Sequence, residues 1–270
     1  MTDKYAKQRG ELLAELDGMR VEIDAARRIA TLVLDRPPLN IVSYKARSQI
    51  GALFEEMGKD RDIGVIVVRG ANGVYTSGGD VRGFFNVHRD GMSHLAWNIA
   101  APERCPKPVI AAMEKYAFGV GLELALACDF RIATKETLVA LPEVTIGQMP
   151  GSGGSQRILR MVGMTRAKDM VLQGRRLPAE EAHRWGILTE VVEDSAALDK
   201  AIHAYAERLN ALSPLALTTL KRVLNFGEDA ALEASMELEG HAYEKLRDSH
   251  DYHEGAHAFF EKRKPTYKGE

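Results

Sequence analysis

Two glutamates stand in apolar settings, and each adjoins a glycine-rich stretch. Glu123 lies between Leu122 and Leu124 in Phe118-Gly119-Val120-Gly121-Leu122-Glu123-Leu124-Ala125. Glu143 follows Leu141-Pro142 and precedes the loop Gly151-Ser152-Gly153-Gly154. An acid with apolar flanks is expected to be partly buried, and burial of a carboxyl needs a reason because leaving water is costly. Buried carboxyls can be tuned upward in pKa and set on either side of a water. A third stretch, Tyr75-Thr76-Ser77-Gly78-Gly79-Asp80, follows a short apolar run, and its small residues let backbone come close to a ligand. Glycine turns of this kind can present N–H groups, and a pair of them stabilises a carbonyl oxygen as it gains negative charge. Together these parts suit proton chemistry alpha to a carbonyl. Taken singly, each also has a plain reading: an ordinary tight turn at Tyr75–Asp80, an acid in a first helical turn at Glu123. Spacing by itself does not bring the pieces together.

Other chemistries fit less well. Gly151 to Gly154 matches neither the phosphate-loop pattern nor the dinucleotide fingerprint, and no serine-hydrolase elbow is present. His250, His253 and His257 fall at i, i+3 and i+7, but their neighbours Asp251, Tyr252 and Glu254 mark a solvated helix face, so no metal site is expected. Cys105 and Cys128 read as buried, reduced thiols, which suits a cytoplasmic protein. The formal net charge is −2, with no basic, aromatic-rich stripe, which argues against a nucleic-acid partner. The first residues are charged, without the apolar segment of a signal peptide, and no apolar run approaches the length of a membrane span.

Strands and helices must place these segments. Arg28–Leu34 reads as a strand stopped by Pro37-Pro38. Ile50, Leu53, Phe54 and Met57 recur at helical spacing. Gly64–Val68 is a short, β-branched apolar run that suits a strand covered on both faces. Val109–Ala112 and Phe130–Ala133 read as two further strands, separated by the glycine turn and the helix that carries Glu123. The alternation predicts an α/β core. Residues 1–18 read as a loose polar extension, and 19–195 as the core. Residues 196–270 form a helical region, with Ser213-Pro214 as helix cap and first helical residue. Such a region needs a surface to pack on, either its own core or a second copy.

These segments, in this order, resemble the crotonase (enoyl-CoA hydratase) superfamily from about residue 20 to the end. Ser77-Gly78-Gly79-Asp80-Val81 is similar to its first oxyanion segment and Phe118 to Asp129 to its second. Pro142-Glu143 through Gly154 resembles its Pro-Glu segment and Pro-Gly-x-Gly-Gly loop, and Phe259-Phe260-Glu261-Lys262-Arg263 its terminal signature. The resemblance implies a spiral of ββα units with a C-terminal helical trimerisation region, the trimers often pairing into hexamers. It implies an acyl-CoA substrate, with the N–H groups of Gly79 and Val120 as the oxyanion hole. Glu123 would activate a water and Glu143 would deliver a proton to the alpha carbon. Arg82, Phe259 and Lys262 match positions that bind coenzyme A, the last two often from a neighbouring subunit. No cofactor, metal, nucleic acid or membrane is implied. Two glutamates favour hydration of a 2-enoyl-CoA. Double-bond isomerisation, hydrolysis of a cyclic or keto acyl-CoA, and a non-catalytic or RNA-binding role are the alternatives. Val120 departs from the family's glycine triplet; it requires an ordinary backbone conformation there and narrows the acyl pocket.

Overall fold

The computed structural model describes residues 3–6, 9–86 and 94–270. Two one-turn helices, α1 (Asp3–Ala6) and α2 (Glu11–Ala14), lead into a hairpin of β1 (Met19–Asp24) and β2 (Ile29–Leu34). Helix α3 (Tyr44–Lys59) and β3 (Val65–Gly70) follow, then short helices α4 (Leu95–Ile99) and α5 (Ala101–Arg104). Next come β4 (Val109–Met113), β5 (Tyr116–Phe118), α6 (Val120–Leu126), β6 (Phe130–Thr134) and β7 (Leu138–Ala140). Helix α7 (Gly154–Leu172), β8 (Leu177–Pro178), α8 (Ala179–Arg184) and β9 (Glu190–Val192) complete the α/β part. The chain ends in α9 (Ser195–Asn210), α10 (Pro214–Gly227), α11 (Leu232–Arg247) and α12 (His250–Glu261).

A six-stranded sheet in the order β1-β2-β3-β4-β6-β9 is parallel except for the β1–β2 hairpin. A smaller sheet runs β5-β7-β8. Successive strands alternate between the two: β4 joins the large sheet and β5 the small one before α6, and β6 and β7 repeat the step. This repeated ββα step is the spiral expected from the sequence. The apolar run in β3 is wholly apolar because both faces are covered. Ile66 and Val68 face a core shared with α3, while Val65 and Val67 pack with Leu198, Ile202 and Ala206 of α9.

Two expectations need correction. The described residues of the N-terminal stretch, 5–6 and 9–18, are not a loose extension. Tyr5 and Leu13 are buried in the main core, and the Gln49 side chain of α3 donates to Leu12 O and Glu15 O and accepts from Asp17 N. Nor does the separate helical region begin at residue 196, because α9 closes one face of the central sheet and belongs to the core.

Helix α10 starts as its sequence predicts, with Ser213 capping Ala216 N and Pro214 in the first turn. Its buried Lys221 donates to Pro102 O, Lys107 O and Asp129 Oδ2, the last at 2.7 Å. These bonds fasten α10 to the core. Beyond them α10 and α11 bury little: Leu224 is 69% exposed, Leu232 76% and Met236 62%. Among the described residues no helix is long and apolar enough to cross a membrane.

Candidate active site

The two glycine turns meet because β5 runs beside the segment that holds the first of them. Thr76 N donates to Tyr116 O and Phe118 N to Thr76 O, a parallel bridge that aligns residues 76–79 with 117–120. A second bridge pairs Gly79 with Val42, just before α3. At Gly119 the backbone takes φ 52°, ψ −127°, its N–H donates to Ala140 O, and α6 begins at the next residue. A Cβ at Gly119 would stand 3.0 Å from Glu143 Oε1 and 4.0 Å from Gly78 Cα. Glycine is therefore required there for conformation and for space, and its bare Cα is where both turns and one acid converge. The N–H groups of Gly79 and Val120 have no acceptor among the described residues. Val120 is the first residue of α6, so its N–H also lacks an intrahelical partner.

Glu123 sits one turn into α6, only 2% exposed. Its Oε1 accepts from Ser152 N at 2.7 Å and Gly154 N at 3.0 Å, so the glycine loop before α7 is a cradle for this carboxylate. The loop is held in turn by Arg157, which donates to Ser152 O and pairs bidentately with Glu103 of α5. Glu143 opens a single 3₁₀ turn, Glu143–Ile146, that follows β7 and lines the cavity. Its Oε2 is buried without a hydrogen-bond partner among the described residues. Burial pushes the Glu143 carboxyl up to about 7, and the neighbouring Glu123 adds to the rise; its own backbone N–H and the Arg47 guanidinium oppose it. The two acids thus differ in environment, one fixed by backbone donors and one whose proton is held more tightly by burial.

Both acids and both turns line one cavity of about 570 Å³. That size lies within the roughly 300–1,000 Å³ of small-molecule sites. Phe84, Leu95 and Met149 supply apolar wall, and Val120 stands at the cavity in an ordinary helical conformation. Sequence reasoning missed Arg47 and Tyr44, both on α3 and both lining the same cavity. Arg47 had a legible signal: it lies three residues before Ile50, on the apolar face of the helix, and is 6% exposed.

The structure does not bring every expected residue to the cavity. Arg82 is exposed beside Val81, which lines the mouth. Phe259 is 80% exposed at the end of α12, Lys262 ends that helix in a left-handed conformation, and neither lines the cavity within this chain. His250, His253 and His257 do lie on one helix, α12; among the described residues no group of three or more ligating side chains forms.

Solved structures share this fold, and known proteins are similar in sequence. The chain is 34% identical over 254 residues to the 2,3-dehydroadipyl-CoA hydratase of Escherichia coli (strain K12), covering 92% of this chain and 98% of that one. The crystal structure of an enoyl-CoA hydratase from Bacillus anthracis superposes with a TM-score of 0.87 at 31% identity, over 94% of this chain and 100% of that chain. The enoyl-CoA hydratase of Mycobacterium tuberculosis H37Rv gives 0.85 at 30% identity, over 94% and 99%. The family model described as enoyl-CoA hydratase/isomerase matches residues 24–270. On these grounds, and on a ββα spiral that brings both glycine turns and both glutamates to one cavity, the chain belongs to the enoyl-CoA hydratase/isomerase family.

Proposed function

We propose that this protein adds water across the double bond of a 2-enoyl-CoA, with Glu123 and Glu143 as the acid–base pair. The observation that carries this reading is the unlike pair of carboxyls on one cavity, next to two unpaired N–H groups. Glu123, its Oε1 fixed by Ser152 N and Gly154 N, takes a proton from the water whose oxygen bonds to C3. Glu143, raised to about 7, delivers a proton to C2. The thioester oxygen gains negative charge as the C3–O bond forms, and the N–H groups of Gly79 and Val120 receive it. An isomerase moves one proton within its substrate and needs one acid, so two acids on the cavity favour hydration. Proton transfer on a thioester needs no redox group or metal.

The coenzyme A part enters past Arg82. Phe259 and Lys262 complete its site from a second copy, which accounts for two bulky aromatic side chains left exposed on one protomer, Phe259 and Phe260. The exposed apolar surface of α10 and α11 supports the same assembly, a trimer or a pair of trimers.

The test is direct: purified protein is mixed with crotonyl-CoA and longer 2-enoyl-CoAs without added metal or nicotinamide. Loss of the conjugated thioester absorbance with a product heavier by one water supports the reading. Cleavage of a keto acyl-CoA with no enoyl-CoA hydrated would replace it with hydrolysis.

A further inference from the structure

The acid–base scheme leaves one charged group of the cavity unused. Arg47 projects from the apolar face of α3 and is more than nine-tenths buried. Its guanidinium lies over the Tyr44 ring, 5.0 Å from the centroid, and within 6.0 Å of that of Phe84. Nη1 reaches Ser152 Oγ at 3.4 Å, while Nε is buried with no hydrogen-bond partner among the described residues. Among the described residues no carboxylate forms an ion pair with it; Glu123 and Glu143 act on it through space. A Cβ on Gly79 would stand 3.0 Å from Nη2, which fixes that edge of the guanidinium beside the first oxyanion turn. A buried guanidinium with five donors and a single long bond is under-satisfied, and such groups are retained where something else supplies the acceptor.

We propose that Arg47 is a specificity-determining residue: its guanidinium donates to a neutral carbonyl oxygen carried by the acyl chain beyond the reacting double bond. The preferred substrates are then oxo-substituted 2-enoyl-CoAs rather than plain hydrocarbon ones. A hydrocarbon chain fills the cavity and leaves the donors unmet. A carboxylate would answer them, but it would bring a third acid beside Glu123 and Glu143. A ketone oxygen supplies the acceptor without adding charge. The double bond in this substrate rests on the hydratase reading; the contact between Arg47 and the chain oxygen does not.

The experiment therefore has a binding arm and a turnover arm. Calorimetry compares saturated pairs of equal length, hexanoyl-CoA against 4-oxo- and 5-oxohexanoyl-CoA, for wild type, Arg47→Met and Arg47→Lys. Turnover compares kcat/KM for the matching 2-enoyl thioesters. At least one oxo member is expected to be favoured by wild type by roughly 10- to 100-fold, the usual worth of a hydrogen bond from a charged donor. Arg47→Met should abolish that preference and Arg47→Lys keep part of it. A purely structural or general electrostatic role lowers all substrates together and leaves the ratio unchanged, which overturns the proposal. Wild type that binds no oxo member better than its hydrocarbon pair overturns it as well, as does an Arg47-dependent preference for a chain carboxylate. Preference in binding without any hydration would keep Arg47's role and remove the hydratase reading.

Discussion

The Glu143 carboxyl gives the reaction a pH limb whose position follows from its surroundings. It lies at about 7 because burial outweighs the opposing effects of its own backbone N–H and Arg47. In the proposed role of proton donor it must be protonated in the free enzyme. At a value of about 7, roughly half is protonated at pH 7, about a tenth at pH 8 and about a hundredth at pH 9, so kcat/KM should fall close to tenfold per unit above pH 8. The assay is initial-rate hydration of crotonyl-CoA from pH 5.5 to 9.5, with Glu143→Gln run in parallel. The variant should be slow and should lack that limb, because the titrating group is gone. The same shift has a stability consequence. The folded carboxyl holds its proton more tightly than the unfolded one, so its contribution is fully present below about pH 4.5 and is lost as pH rises through about 7. The shift is worth about 3 kcal/mol at most, and solvent screening of a partly exposed carboxyl reduces this to roughly 1–2 kcal/mol. A wild-type profile that stays flat from pH 6 to 9, or a limb that survives in Glu143→Gln, would refute the assignment.

Three other outcomes are expected. A Cβ in Gly154→Ala would stand 2.8 Å from Glu123 Cγ and 3.0 Å from both Glu123 Oε1 and Leu141 Cδ2. It should cost about 1–3 kcal/mol by overpacking and lower kcat by roughly 10- to 100-fold as the base shifts, read by denaturant melts and steady-state kinetics. Lys221→Met should cost about 1–3 kcal/mol, because it leaves the half-buried Asp129 with Val109 N as its one bond donor among the described residues; Lys221→Met combined with Asp129→Asn should recover part of the loss in the same melts. Light scattering at micromolar concentration should give a trimer or hexamer, and a monomer would leave the exposed faces of α10 and α11 without their explanation.

Much of this architecture was legible because the sequence pattern and the burial agree. The helical spacing of Ile50, Leu53, Phe54 and Met57 is that of a helix with one buried face, and α3 has it. The apolar runs at Val65 and Val109 are central strands covered on both sides, which is why they show no alternation. Other parts carried weaker signals. Strands β5, β7 and β9 are three residues each, too short to show a period, yet β5 is what brings Gly79 and Val120 together. The burial of Tyr5 and Leu13 comes from contacts with α3, far along the chain, and their polar neighbours mask it. Helix α9 has the pattern of an ordinary amphipathic helix, and pattern cannot say whether the apolar face meets a sheet or a second subunit. In the site, Glu123 and Glu143 stood out by their apolar flanks. Arg47 has helical spacing to Ile50, a weaker signal because one arginine on a helix is usually solvated, and the packing of α3 against the 77–79 turn holds it inward.

The central claim is that both glutamates work on one water, and turnover of Glu123→Gln, Glu143→Gln and the double variant tests it most directly. Glutamine keeps the shape of each side chain and cannot exchange the proton, so each single variant should lose roughly 10²–10⁴ in kcat with coenzyme A affinity and melting temperature at pH 6 little changed. Because the two act as a unit, the double variant should be scarcely slower than the worse single one. A glutamine variant that turns over 2-enoyl-CoA at the wild-type rate would remove that acid from the mechanism and contradict the two-acid hydration described here.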